Sequence, residues 1–246
     1  MTSLVTGEFC FFVGDHAAPP VAGPFDPLTT QNLLRAIRFS WGKIHAELKG
    51  RPKVRARHYK ENFLNGSLCL QLNTVLDNDE LSYFTSAQFQ TIVLEGKQHS
   101  ARRAREPRMP DLQVLLVETG RLGIARSKAV LCIECKLLTD AEHLREYVIN
   151  GMHRFVRGDY SPHMSLGIML GYAAPEHQLP QALESYLKRA RRSDAIRCKS
   201  KLKPFGSGDG ACHVSKHVRR RPAFAKRINL LHLWLPHPAP RRRAKR

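Results

Sequence analysis

The sequence predicts an α/β protein whose core elements run helix–strand–strand–strand–helix–strand–helix between about residues 58 and 190. Three observations carry that order. Residues 112–117, 129–138 and 165–172 are apolar runs of strand length, and the last is apolar enough for a buried strand. Between the second and third lies a stretch with Leu144, Val148, Met152 and Phe155 at helical intervals. The chain of 246 residues with 42% apolar content suits one domain with a real core and appendages.

The elements follow in order. Residues 1–28 are rich in Gly and Pro, with Phe9, Phe11, Phe12 and Phe25 scattered among them, and read as an irregular arm. Thr29 and Thr30 offer a cap for a helix to about residue 48, with Leu33, Leu34, Ile37, Trp41 and Ile44 at helical spacing. Gly50-Arg51-Pro52 ends it. A second helix is expected over 58–75, broken by Asp77-Asn78-Asp79. Residues 89–94 read as the first strand, 98–107 as a basic loop, and 112–117 as the second strand with Asp111 at its start. After the Glu118-Thr-Gly-Arg turn comes the third strand, 129–138. Asp140 caps the expected helix to 156, then come the fourth strand at 165–172 and a helix over 179–190. Residues 228–235 read as one more strand, able to return to the sheet.

The net charge is +19, and its location matters more than its size. Residues 186–246 hold 19 Lys/Arg against 2 Asp/Glu, while residues 1–185 hold 21 against 19. Basicity is therefore a property of the distal segment. Its clusters, with Arg191, Arg192, Arg219, Arg220 and Arg221, read as a surface for nucleic-acid phosphates, as do Arg102, Arg103 and Arg105 in the 98–107 loop. Contact with an acidic membrane surface is disfavoured for want of a clean amphipathic helix. No run approaches the ~20 apolar residues of a membrane span, and the first residues lack the marks of a secretory signal. Six scattered cysteines suit a reducing cytoplasm better than a disulfide framework.

Chemistry concentrates in two of the strands. Pro110-Asp111 opens one, and 23 residues after that Asp comes Glu134-Cys135-Lys136 in another. Side chains alternate across a strand, so Glu134 and Lys136 share a face, about 7 Å apart, while Ile133, Cys135 and Leu137 share the other. Charges in a strand so dense in Val, Leu, Ile and Cys need a reason. Carboxylates at a strand end hold hard divalent cations, and a neighbouring lysine orients water or steadies developing charge. A rival Glu95-Gly96-Lys97 lacks a preceding Pro-Asp strand. Cys132 and Cys135 point to opposite faces of a strand, which is wrong for a zinc knuckle or redox pair. Cys198, Cys212, His213 and His217 match no zinc spacing either.

Pro-Asp, a gap of 10 to 30 residues and Glu-x-Lys resemble the signature of the PD-(D/E)xK, or restriction-endonuclease-like, nucleases, and the resemblance covers roughly residues 57–187. It implies an αβββαβ core with a mixed central sheet flanked by helices, here at residues 57–190. An N-terminal arm and helix (1–56) would precede it and a basic C-terminal extension (191–246) would follow. It implies Asp111, Glu134 and Lys136 as catalytic residues. It also implies Mg²⁺ or Mn²⁺ held by Asp111, Glu134, the Cys135 carbonyl and a helical carboxylate, for which Glu61 is the best placed and Glu47 second. Some members carry Gln-x-x-x-Tyr on the following helix; here that spacing holds His143 and Tyr147. Arg154 or Arg157 on the same helix is a candidate phosphate clamp. The implied function is metal-dependent cleavage of DNA, favoured over RNA, in restriction, phage defence or repair. A homodimer, or a partner ATPase or methyltransferase, fits the class. The alternative is a catalytically inactive module of the same fold that binds nucleic acid or protein.

Overall fold

The computed structural model describes residues 25–50, 59–95, 109–117, 130–160, 164–174, 178–190, 196, 201–206, 212–219 and 225–238. Helices α1 (Pro27–Gly50) and α2 (Glu61–Asp77) come first. Strands β1 (Val93–Leu94), β2 (Leu112–Val114) and β3 (Leu131–Leu138) follow. Next comes a helix in three parts: α3 (Ala141–Glu146), a π-helical segment (Tyr147–Met152) and α4 (His153–Arg157). Then come β4 (Leu166–Ala173), α5 (Leu179–Ala190), β5 (Lys203–Pro204), β6 (Cys212–Val218) and β7 (Arg227–Pro236).

These make a mixed α/β fold around one seven-stranded sheet in the order β1-β2-β3-β4-β7-β6-β5. β3, β4 and β7 are mutually parallel; β1, β2, β6 and β5 add antiparallel flanks. All eight residues of β4 are buried, as a strand covered on both faces demands. One face packs under α1 and α2, joining Leu33, Trp41, Leu68 and Leu72 to Ile133, Cys135, Leu170 and Leu233. The other packs under the divided helix and α5, joining Tyr147, Phe155, Leu183 and Leu187 to Cys132, Met169 and Leu230. Trp41 is 2% exposed; its indole N–H donates to the Pro236 carbonyl at 3.0 Å and its ring lies 4.8 Å from that of Tyr172. The first helix is thus part of the core and not a separate arm.

Four expectations change. The cap of α1 is Asp26, whose carboxylate accepts from the Thr29 amide at 2.8 Å and its hydroxyl at 2.9 Å, with Pro27 at the first helical position. The strand expected over 89–94 narrows to Val93–Leu94. The Asn73 side chain pairs with both backbone groups of Ile92, at 2.7 and 2.9 Å, and takes the place of a ladder partner there. Residues 212–218, expected to be tail, form β6. Both faces are buried, with Cys212 and Val214 on one and Ser215 and His217 on the other, a pattern obscured by the Lys and Arg around them. Finally β7, the expected extra strand, lies between β4 and β6 within the sheet. The sheet therefore draws three of its strands from beyond residue 191. The 1–24 arm, the 98–107 loop and the basic clusters around 191–192, 220–221 and 241–246 lie outside the described residues.

Candidate active site

Register brings the acidic groups together. Leu112 pairs with Ile133 in the antiparallel β2–β3 ladder, so one step back sets Asp111 across from Glu134. The Cys135 amide donates to Asp111 Oδ2 at 2.7 Å, fixing that carboxylate at the mouth of the two strands. From the other side, the first residue of α2 reaches in. Glu61 Oε2 accepts the Leu137 amide at 3.0 Å, and Glu61 Oε1 lies 2.9 Å from Lys136 Nζ. The start of α2 is pinned by His237, just after β7, whose Nε2 is 3.2 Å from the Tyr59 carbonyl.

Lys136 Nζ stands in the middle. It donates to the Cys135 carbonyl at 2.7 Å and lies 3.1 Å from Glu134 Oε1 and 3.8 Å from Asp111 Oδ2. Burial works against its charge, but the carboxylates of Glu134, Asp111 and Glu61 outweigh burial and its pKa is raised. Burial, then the nearby Asp111 charge, pushes the Glu134 carboxyl up to about 7 against the pull of Lys136 and Arg154. Asp111 is raised too, by burial first, with Lys136 and the Cys135 amide opposing. Three carboxyl groups thus face the two cations Lys136 and Arg154.

Arg154, on α4, completes the arrangement. Its Nη1 donates to Glu134 Oε1 at 3.0 Å and to the Tyr160 hydroxyl at 2.6 Å. Tyr160 in turn donates to the Met109 carbonyl at 3.0 Å, two residues before Asp111. Tyr160 thereby ties the segment that carries one carboxylate to the arginine that holds the other. No sequence signal singles it out, because its role exists only in the fold. Glu134 is 1% exposed, and its Oε2 has no hydrogen-bond partner among the described residues. A cavity of about 300 Å³ opens beside the cluster, lined by Glu61, Lys136, His143, Glu146, Asn150 and Arg154.

The donor set suits a hard divalent cation: carboxylate oxygens of Asp111, Glu134 and Glu61 and the Cys135 carbonyl, with one carboxylate oxygen of Glu134 buried and unpaired. Among the described residues, however, no group of three or more His, Cys, Asp or Glu side chains is already drawn together for a metal. The Lys136 ammonium lies between the carboxylates instead.

Other expected residues fall elsewhere. Glu47 is exposed on α1. Arg157 is engaged with buried Asp159 at 2.6 Å. Arg219, expected on a phosphate-binding surface, is 5% exposed and donates to the carbonyls of Phe155 at 3.0 Å, Met164 at 2.9 Å, Ala225 at 3.4 Å and Tyr160 at 3.5 Å. It ties the end of α4 to the strands beyond it, and burial lowers its pKa to about 10. Cys212 lies on one face of β6 and His213 and His217 on the other, so they do not converge. Arg102, Arg103, Arg105, Arg191, Arg192, Arg220, Arg221, Cys198 and the Gly96-Lys97 half of the rival motif lie outside the described residues. Glu95 is exposed at the end of β1.

Tyr147 does not enter the cavity. It is buried, and its hydroxyl is 2.8 Å from His232 Nδ1 and 3.3 Å from the Met169 carbonyl; His232 Nε2 and His217 Nε2 each lie 2.7 Å from Ser215 Oγ. This buried chain anchors the π-helical segment to β7 and β6. Within that segment Gly151 lies so close to the sheet that a Cβ would meet Met169 Cε at 2.5 Å and Glu134 Cγ at 3.7 Å.

No protein-family model matches the chain, and no curated protein or solved structure matches it. Among the described residues no helix is long and apolar enough to cross a membrane.

Proposed function

We propose that this chain is a metal-dependent nuclease of the restriction-endonuclease-like PD-(D/E)xK class that hydrolyses phosphodiester bonds of DNA. One observation carries the reading: Asp111, Glu134, the Cys135 carbonyl and Lys136 meet at the end of β2 and β3, with Glu61 added from α2. That is the motif's chemistry drawn from three separate parts of the sequence. Mg²⁺ or Mn²⁺ held by Asp111, Glu134, Glu61 and the Cys135 carbonyl would supply polarisation of the phosphoryl oxygen and a water of lowered pKa.

The chain's own groups do the rest. Lys136 orients the attacking water and steadies the charge that builds on the phosphoryl oxygens. Arg154 holds Glu134 through Nη1 alone, which leaves its remaining N–H groups to face a substrate phosphate from the cavity wall. Glu61 fixes the Lys136 ammonium, and the Cys135 amide fixes Asp111, so the reacting groups are held before substrate arrives. The basic segments at 98–107, 191–192 and 220–221 hold the DNA backbone without reading sequence.

The test is cleavage of supercoiled plasmid with Mg²⁺, against EDTA and against Lys136→Ala. Metal-dependent nicking or linearisation, lost in the variant, is the expected result. The Lys136 ammonium among the carboxylates favours a second reading, an inactive module of the same fold that binds nucleic acid. Salt-sensitive binding of DNA and RNA without cleavage of either would select that reading.

A further inference from the structure

Hydrolysis of a phosphodiester needs a proton for the departing oxygen, and the groups assigned so far do not supply one. Each group on the cavity wall is accounted for in turn. The Lys136 ammonium is tied to Glu61, Glu134 and the Cys135 carbonyl. Arg154 does not give up a proton in water. Glu61 accepts from Leu137 and Lys136, and Glu146 accepts from Asn150.

His143 differs. Its Nδ1 is 3.1 Å from Asp140 Oδ2 and 3.0 Å from Thr139 Oγ1. Asp140 is itself fixed, as the N-cap of α3, by accepting the His143 amide on Oδ1 at 2.9 Å. A carboxylate beside Nδ1 keeps a proton on that nitrogen and sets the ring plane. Nε2 has no hydrogen-bond partner among the described residues, and the ring is 33% exposed on a wall it shares with Lys136 and Arg154. A base held by a carboxylate, with its other nitrogen open to a cavity beside the reacting groups, is the arrangement of a general acid.

We propose that His143 is the general acid of this hydrolysis, an inference that rests on the nuclease reading. The attacking water forms the new P–O bond and releases its proton to solvent. The bond from phosphorus to the sugar oxygen breaks, and that oxygen takes the Nε2 proton of the doubly protonated ring, which keeps its Nδ1 proton. The products are a phosphomonoester and an alcohol, and neutral His143 regains its proton from solvent. Asp140 and Thr139 are positioning residues for the ring.

The experiment uses short DNA duplexes with one defined linkage in three forms: all-oxygen, bridging sulfur on the 3′ side, and bridging sulfur on the 5′ side. A thiolate departs without a proton, so a sulfur in the leaving position relieves the need for an acid. Wild type, His143→Ala and His143→Gln are compared, with duplex affinity measured in EDTA. The variants are expected to lose about 100-fold or more on the oxygen linkage and less than about fivefold on one of the sulfur linkages, with affinity retained. Equal loss on all three linkages by variants that still bind, beside an active wild type, overturns the general-acid assignment and leaves the nuclease reading standing. A wild type that cuts none of the three overturns both.

Discussion

Lys136 and Glu61 meet at 2.9 Å although 75 residues separate them in sequence. The contact joins β3 to the first turn of α2 and draws the lysine into the carboxylates. A divalent cation sharing those oxygens must compete with the ammonium. Mg²⁺ or Mn²⁺ is therefore expected to raise the melting temperature of the wild type, by about 2.7 kcal/mol of stability at 100 times Kd. The shift should vanish in Asp111→Asn and Glu134→Gln. Lys136→Met should bind the cation at least as tightly as wild type while losing cleavage. Calorimetric titration checks this; weaker binding by Lys136→Met would mean that the lysine does not compete.

Arg219 is expected to act on stability and not on DNA. Its guanidinium serves the carbonyls of Phe155, Tyr160 and Met164, and Arg219→Met removes that donor from all three. The variant should lose about 3 kcal/mol in urea unfolding. The salt dependence of DNA binding by its folded fraction should be unchanged. Arg220→Ala with Arg221→Ala should do the reverse and flatten the salt slope.

His232 makes the fold sensitive to acid. Burial first, then the charges of His217 and His213, hold its pKa well below the ordinary 6.5. The unfolded chain takes up a proton near pH 6.5 that the native state refuses. Stability from this group is thus present above about pH 6.5 and lost as pH falls below it, with a slope of up to about 1.4 kcal/mol per pH unit. His213, His237 and His45 shift in the same direction, so the measurement is a difference. Denaturant midpoints from pH 7.5 to 5 should fall less steeply in His232→Asn than in wild type. Parallel slopes would mean that the buried chain from Tyr147 to His217 already accommodates the charge.

Gly167 sets how closely α4 approaches the sheet. A Cβ there would meet the Phe155 ring at 2.6 and 2.7 Å, and that ring is fully buried. Gly167→Ala should cost about 1–3 kcal/mol, and Phe155→Leu should recover part of that loss when combined with it. Thermal unfolding of the two single variants and the double variant tests the coupling.

The parts of this architecture that were legible in the sequence are those governed by short-range periodicity. Alternation along 131–138 separates Glu134 and Lys136 from Ile133 and Cys135, and helical spacing with an Asp140 cap locates the helix after it. The switch to π-helix at Tyr147 leaves no mark in that spacing. Asp26 does not stand out as the cap because it lies in a Pro-rich stretch that reads as irregular. β6 is hidden by its basic flanks and by burial of both its faces, which leaves no clean alternation to read. Asp111, Glu134 and Lys136 were visible as a motif. Tyr160 was not, since nothing local distinguishes a tyrosine whose hydroxyl bridges Arg154 and Met109.

The pairing of β4 with β7 has a consequence for how the protein is made. β4 is complete at Ala173, but the strand along its far edge ends at Pro236. While the intervening residues leave the ribosome, eight apolar positions present an uncovered backbone edge open to any passing strand. β3, which carries Glu134 and Lys136, pairs with β4 on its other edge and leans on that same half-built ladder. A nascent chain thus completes its sheet only when β7 arrives, and its most exposed moment comes just before.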